Sequence, residues 1–184
     1  MRKLTEEKLQ SILKHKRMWK TIRERYEKCA LCYTVDPDIV ASIFIIETFF
    51  RPFYMRFCEY CLLLVSAMNC LIFKHPIKNY TIGCCQVGLS TILNYYGIQT
   101  YQHAHTVMLS GFADLRLMYS VISKKKSVEI LTFRLAPIIQ RANRIYPNKL
   151  KSRLNYIGTQ YNGRFAYGML FTWVYQQERM TIKQ

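Results

Sequence analysis

Acidic residues are scarce in this sequence: 11 Asp and Glu stand against 27 Lys and Arg in 184 residues, a formal net charge of +16. Such an imbalance makes the surface repel itself and attract polyanions, drawn in by long-range, salt-sensitive forces. Nucleic acid, anionic lipid and acidic cell-wall polymer are the partners it admits. Glycine (7) and proline (5) are also few, which removes collagen-like and linker-rich chains, and no internal repeat or low-complexity tract is present. The basic opening MRKLTEEKLQ is followed by no apolar h-region, so it does not read as a secretory signal. A long hydrophobic run is missing too. The longest, YCLLLVSAMNCLIF from Tyr60 to Phe73, falls short of the roughly 20 residues a spanning helix needs. The expectation is a protein without a membrane span.

What is present is apolar bulk: 51% hydrophobic residues and 14% aromatics, enough for a core of one domain. Residues 1–35 read as a basic N-terminal helical extension, with Leu9, Ile12, Leu13, Met18, Trp19 and Ile22 as a partial apolar stripe among Lys and Arg. Residues 36–184 read as the domain proper. Seven cysteines, at 29, 32, 58, 61, 70, 84 and 85, include two CxxC pairs whose spacing fits a zinc site. The alternative is reduced thiols packed in the core, because Cys58, Cys61 and Cys70 lie in apolar helical sequence. No metal is assigned. His103 and His105 in YQHAHT have no Cys, Asp or Glu beside them and read as a loop.

Asp36-Pro37 supplies an N-cap and a proline at the first helical position, which predicts a helix from Pro37 to about Thr48, stopped at FFRP. A second helix covers about Met55 to Phe73 and breaks at His75-Pro76. Thr81 to Val87 has the look of a strand or turn, and Ser90 to Tyr96 that of a short helix closed by Gly97. Further helices fit 113–122, 128–142, 149–158 and 166–178, joined by a Lys124-Lys125-Lys126 loop, the Tyr146-Pro147-Asn148 turn and the Tyr161-Asn162-Gly163 turn.

Glu47 is the residue that stands out. Ile43 and Phe44, one turn earlier, and Val40, two turns earlier, place its carboxylate on an apolar helix face. Burial and the negative end of the helix dipole both favour the neutral acid there, as a general acid near neutral pH requires. Pairing with Arg51 at i+4 is the opposing reading.

The succession I-x-x-I-E-x-x-F-R-P, then T-I-G-C-C-Q-V, then Q-Y-N-G with a tyrosine four residues on, resembles the lytic transglycosylase and goose-type lysozyme superfamily over about residues 36–175. The resemblance implies a mainly α, lysozyme-like helical domain with a small β-hairpin or strand region near 80–88. It implies Glu47 as the catalytic acid, Gly83 and Gln86 as a cleft segment, and Tyr161 and Asn162, followed by Gly163, as the closing motif. Glu129 in SVEIL matches the acidic member of a helix start between the last two motifs. Cys84 and Cys85 depart from the family's usual Leu and Met, and Gln160 from its small residue. In place of the aspartate that goose-type lysozymes carry after the catalytic acid, Glu59 is the sole carboxylate between Glu47 and Gln86.

The implied activity is cleavage of the β-1,4 bond between N-acetylmuramic acid and N-acetylglucosamine in peptidoglycan glycan strands. One acid suffices for a transglycosylase, whose substrate's own N-acetyl group attacks the anomeric carbon; hydrolysis with Glu59 as a second carboxylate is the alternative. No cofactor is implied. Action at the cell wall would follow export, release or delivery. A basic protein that binds nucleic acid or another polyanion without catalysis is the rival class, although no helix-turn-helix, RNP or zinc-finger pattern is present.

Overall fold

The computed structural model describes residues 16–49, 53–98, 106–120 and 123–182. Its centre is the helix that Asp36 and Pro37 open. The Asp36 carboxylate accepts from the Asp38 backbone N–H at 2.9 Å, satisfying one of the donors that a helix start leaves open. Its other oxygen accepts from the Tyr175 hydroxyl at 2.7 Å. From Pro37 to Phe49 this helix is α2, preceded by α1 (Lys16–Cys32). Every residue from Asp38 to Glu47 is buried, so α2 has no solvated face at all. A helix apolar all round is a core helix, and α1, α6 (Lys124–Ile145) and α8 (Phe165–Ile182) pack around it.

The basic segment read as an extension therefore adds side chains to the same core. Tyr26 and Ala30 of α1 are buried, Tyr26 with its ring 5.7 Å from Phe44. Arg23 reaches the buried Asp38 carboxylate at 2.8 Å.

After α2 come α3 (Phe53–Phe73) and β1 (Ile77–Lys78), then β2 (Thr81–Ile82) and β3 (Val87–Gly88), α4 (Leu89–Tyr95), β4 (Thr106–Val107) and α5 (Phe112–Ser120). The molecule is mainly helical with a few short antiparallel strands. Strand β2 pairs with β3 in the register Thr81↔Gly88, Ile82↔Val87, and β1 with β4 as Ile77↔Val107, Lys78↔Thr106. The segment expected as a strand or turn is both: two-residue strands around a turn in which Gly83 has φ 81° and Gln86 φ 50°. Asn79 secures the helix that follows, its side chain accepting from Ser90 N–H at 3.0 Å and donating to the Ser90 hydroxyl at 2.9 Å. That helix closes at Gly97, in the left-handed region at φ 74°, as the sequence predicts.

The lysine run is not a loop. Ser123 caps α6, its side chain accepting from Lys126 N–H, so Lys124, Lys125 and Lys126 form the first turn and Ser127–Leu131 lies inside the helix rather than at its start. Cap geometry outweighs mutual lysine repulsion, which water screens. Similarly, Tyr161 and Asn162 end α7 (Leu150–Asn162) as helix, and only Gly163, at φ 78°, makes the turn.

Cysteine burial also departs from expectation. Cys70 and Cys85 are buried and Cys32, at the end of α1, is exposed; Cys58 and Cys61 are exposed too, because α3 turns just a narrow stripe, Leu63, Ala67 and Cys70, toward the core. The 14-residue run also understates the helix that holds it: α3 has 21 residues. Its Arg56–Phe73 window, of mean hydropathy 1.5, is the one stretch among the described residues long and apolar enough to cross a membrane.

Candidate functional site

Glu47 lies in the last turn of α2, 6% exposed. Arg56, in the first turn of α3, donates to its backbone carbonyl, serving one of the acceptors that a helix C-terminus leaves open. The side chain is held from the far end of the chain: the Tyr167 hydroxyl of α8 donates to Glu47 Oε1 at 2.9 Å. The ring of Tyr161, at the end of α7, is 5.8 Å from that of Tyr167. Arg51, the pairing partner considered from sequence, lies outside the described residues, as do His103 and His105.

The Gly83–Gln86 turn is fastened to Tyr161. Tyr161 donates its hydroxyl to the Cys85 carbonyl. Cys85 N–H donates to the buried Ser127 hydroxyl of α6 at 3.1 Å, and Gly83 N–H to the Tyr60 hydroxyl of α3 at 3.2 Å. Three helices thus grip one turn. Arg134 of α6 steadies Tyr161, donating to its carbonyl at 2.7 Å with the guanidinium 4.9 Å over the ring.

Electrostatics ties the cluster together. Burial, and then the Glu47 charge, push the Tyr161 and Tyr167 phenols well above the ordinary range, so both remain protonated donors at neutral pH. Burial also pushes the Cys85 thiol up, with Cys84 and Glu47 adding to it. Its neighbour moves the other way: a hydrogen bond from the Cys85 thiol, helped by Ser127 and the charge of Arg56, holds Cys84 at about 7 against the effect of burial.

Of the residues singled out in the sequence, Glu47, Tyr161 and Gly83 come together through these contacts. Gln86 is buried, but its amide works within the hairpin: Oε1 accepts from the Thr81 hydroxyl at 2.7 Å and Nε2 donates to the Gly83 carbonyl at 3.1 Å. Asn162 is exposed at the end of α7. Glu59 is half-buried on α3, one turn from Arg56 and next to Tyr60. Glu129 has partners of its own, accepting from the Tyr95 hydroxyl and paired with Lys126 at 2.9 Å. Burial opposes its charge, but those two partners prevail and hold the carboxyl below its usual value.

Arg56, Tyr60, Ser127 and Arg134 escaped the sequence reading. Arg56 and Tyr60 are four residues apart and share a helix face, a signal that finds the pair without saying what the face meets. Among the described residues no group of three or more His, Cys, Asp or Glu could hold a metal ion. Compared with protein-family models, curated proteins and solved structures, the chain matches none.

Proposed function

We propose that this chain is a lysozyme-like glycosidase that cleaves peptidoglycan glycan strands at the β-1,4 bond between N-acetylmuramic acid and N-acetylglucosamine, as a lytic transglycosylase with Glu47 as acid and then base. The observation that carries the reading is the Tyr167–Glu47 hydrogen bond of 2.9 Å, beside the Tyr161 ring that also fastens the Gly83–Gln86 turn. Two pieces of sequence that resemble the family, the helix end with Glu47 and the closing tyrosines, meet at one carboxyl group.

The chemistry follows from that group's surroundings. Burial favours the neutral acid, while the Tyr167 donor favours the anion, and a group that must give and then retake a proton needs both states within reach. Protonated Glu47 gives its proton to the glycosidic oxygen as the C1–O bond breaks. The substrate's N-acetyl oxygen bonds to C1 and holds the positive charge as an oxazolinium. Glu47, now carboxylate, takes the C6 hydroxyl proton; O6 bonds to C1 as the N-acetyl oxygen leaves, closing the 1,6-anhydro ring. No water is consumed.

Digestion of purified sacculi, with mass analysis of the products, tests this. Anhydromuropeptides, each one water lighter than the hydrolytic product, are expected to dominate, and Glu47→Gln is expected to lower their release by about 10²-fold or more with the fold intact by circular dichroism. A folded Glu47→Gln variant that keeps its activity refutes the assignment. Reducing muropeptides that Glu59→Gln suppresses would make the reaction hydrolysis with Glu59 as base.

A further inference from the structure

The α3 helix shows a largely apolar surface to solvent. At about 100° per residue, Leu63, Ala67 and Cys70 form its inward stripe, and the two charged side chains, Arg56 and Glu59, lie on the same half of the helix. The opposite half, about 180° of circumference, carries no charge from Tyr54 to Phe73. Phe57, Leu62, Leu64, Val65, Met68 and Ile72 stand there between 37% and 61% exposed. Only 17% of the Arg56–Phe73 window is buried. A surface helix normally places its polar residues on that half, and a contiguous apolar patch of this kind marks a docking surface.

A second feature adjoins it. Where α3 runs into β1, a recess of about 320 Å³ is lined by Ser66, Asn69, His75 and Lys78 together with Phe73, Pro76 and Ile77. Hydroxyl, amide, imidazole and ammonium converge beside an exposed phenylalanine. That is a donor set for a phosphodiester next to a hydrocarbon surface.

We propose that α3 docks the protein on an anionic phospholipid bilayer, lying in the plane of the interface with its charge-free half among the upper acyl chains and a headgroup phosphate at Lys78 and His75. Charge selects this occupant. A second copy of the chain would bring two bodies of +16 face to face, whereas an anionic leaflet attracts the same charge. The helix does not span, because its inward stripe is core and Arg56 is engaged at the Glu47 carbonyl. Interfacial helices combine an apolar face with electrostatic attraction in this way. The proposal stands apart from wall cleavage, and neither depends on the other.

The test is co-sedimentation of the full chain with vesicles of phosphatidylcholine alone and of phosphatidylcholine with one third phosphatidylglycerol. The expected result is binding to the phosphatidylglycerol vesicles, weakened at least about tenfold in Val65→Ser/Ile72→Ser. That variant keeps every charge and alters two side chains that are each 61% exposed, so folding is undisturbed. Lys78→Ser is expected to narrow the preference for phosphatidylglycerol. The proposal is overturned if the wild-type chain ignores both vesicles or if the double variant binds as well as wild type, which would reduce the effect to bulk charge. It is equally overturned if light scattering shows a dimer that the double variant dissolves, because the face then belongs to a second copy.

Discussion

Cys84 and Cys85 are adjacent in sequence, with sulfurs 3.8 Å apart, yet their thiols shift in opposite directions. Cys85 is wholly buried and also feels the Glu47 charge, while the half-buried Cys84 is lowered first by the hydrogen bond from the Cys85 thiol, with Ser127 and Arg56 adding to it. A thiol held at about 7 is mainly thiolate above that pH and mainly neutral below it, and the thiolate is the nucleophile. Alkylation of Cys84 by iodoacetamide is therefore expected to rise through pH 7, while the buried Cys85 stays unmodified. Peptide mass mapping across pH distinguishes them, and a Cys84 profile with no rise near pH 7 overturns the assignment. Neither half of this contrast is legible in the letters CC. Glu47 was legible, since its apolar neighbours one and two turns back are local facts. Its partner was not: Tyr167 is 120 residues away, and among 14 tyrosines the pattern that resembled a family marked this one without giving it a task.

Among the elements, the α7–α8 pair sets the positions of Tyr161 and Tyr167. Gly163 lets the chain reverse between them in the left-handed region, and the two helices then approach so closely that a Cβ on Gly158 would come within 2.8 Å of the Gly168 Cα. A Cβ on Gly168 would overlap the Asn155 carbonyl and the Thr159 hydroxyl. Gly168→Ala should therefore force the helices apart and destabilise the fold by about 1–3 kcal/mol or more, although alanine is the better helix former. Urea unfolding measures it, and a change within about 0.5 kcal/mol would show that the crossing is not tight. Helix starts and stops were readable at Asp36-Pro37 and at Gly97, where a cap, a proline or a closing glycine marks them. The Lys124–Lys126 turn was misread because a run of like charge resembles a loop, whereas the Ser123 cap decides the backbone.

For the molecule as a whole the dominant quantity is +16. Binding to peptidoglycan sacculi is expected to weaken steeply between 0.1 M and 1 M salt, as the screening length falls from about 10 Å to about 3 Å. Pull-down of the chain on sacculi across that range measures it. Affinity independent of salt contradicts the expectation, and tight, saturable binding to nucleic acid but not to sacculi favours the rival class. Charge, helical class, the all-apolar setting of Glu47 and the hairpin near residues 81–88 were determined by the sequence alone, because each depends on composition or on neighbours within a turn or two. Tertiary structure alone decided which phenol holds the Glu47 carboxyl, that Gln86 spends its amide inside its own hairpin, and that α3 shows its apolar half to solvent. Periodicity tells which side chains share a face, but burial depends on which other element comes to cover it, and that is a contact between residues far apart along the chain.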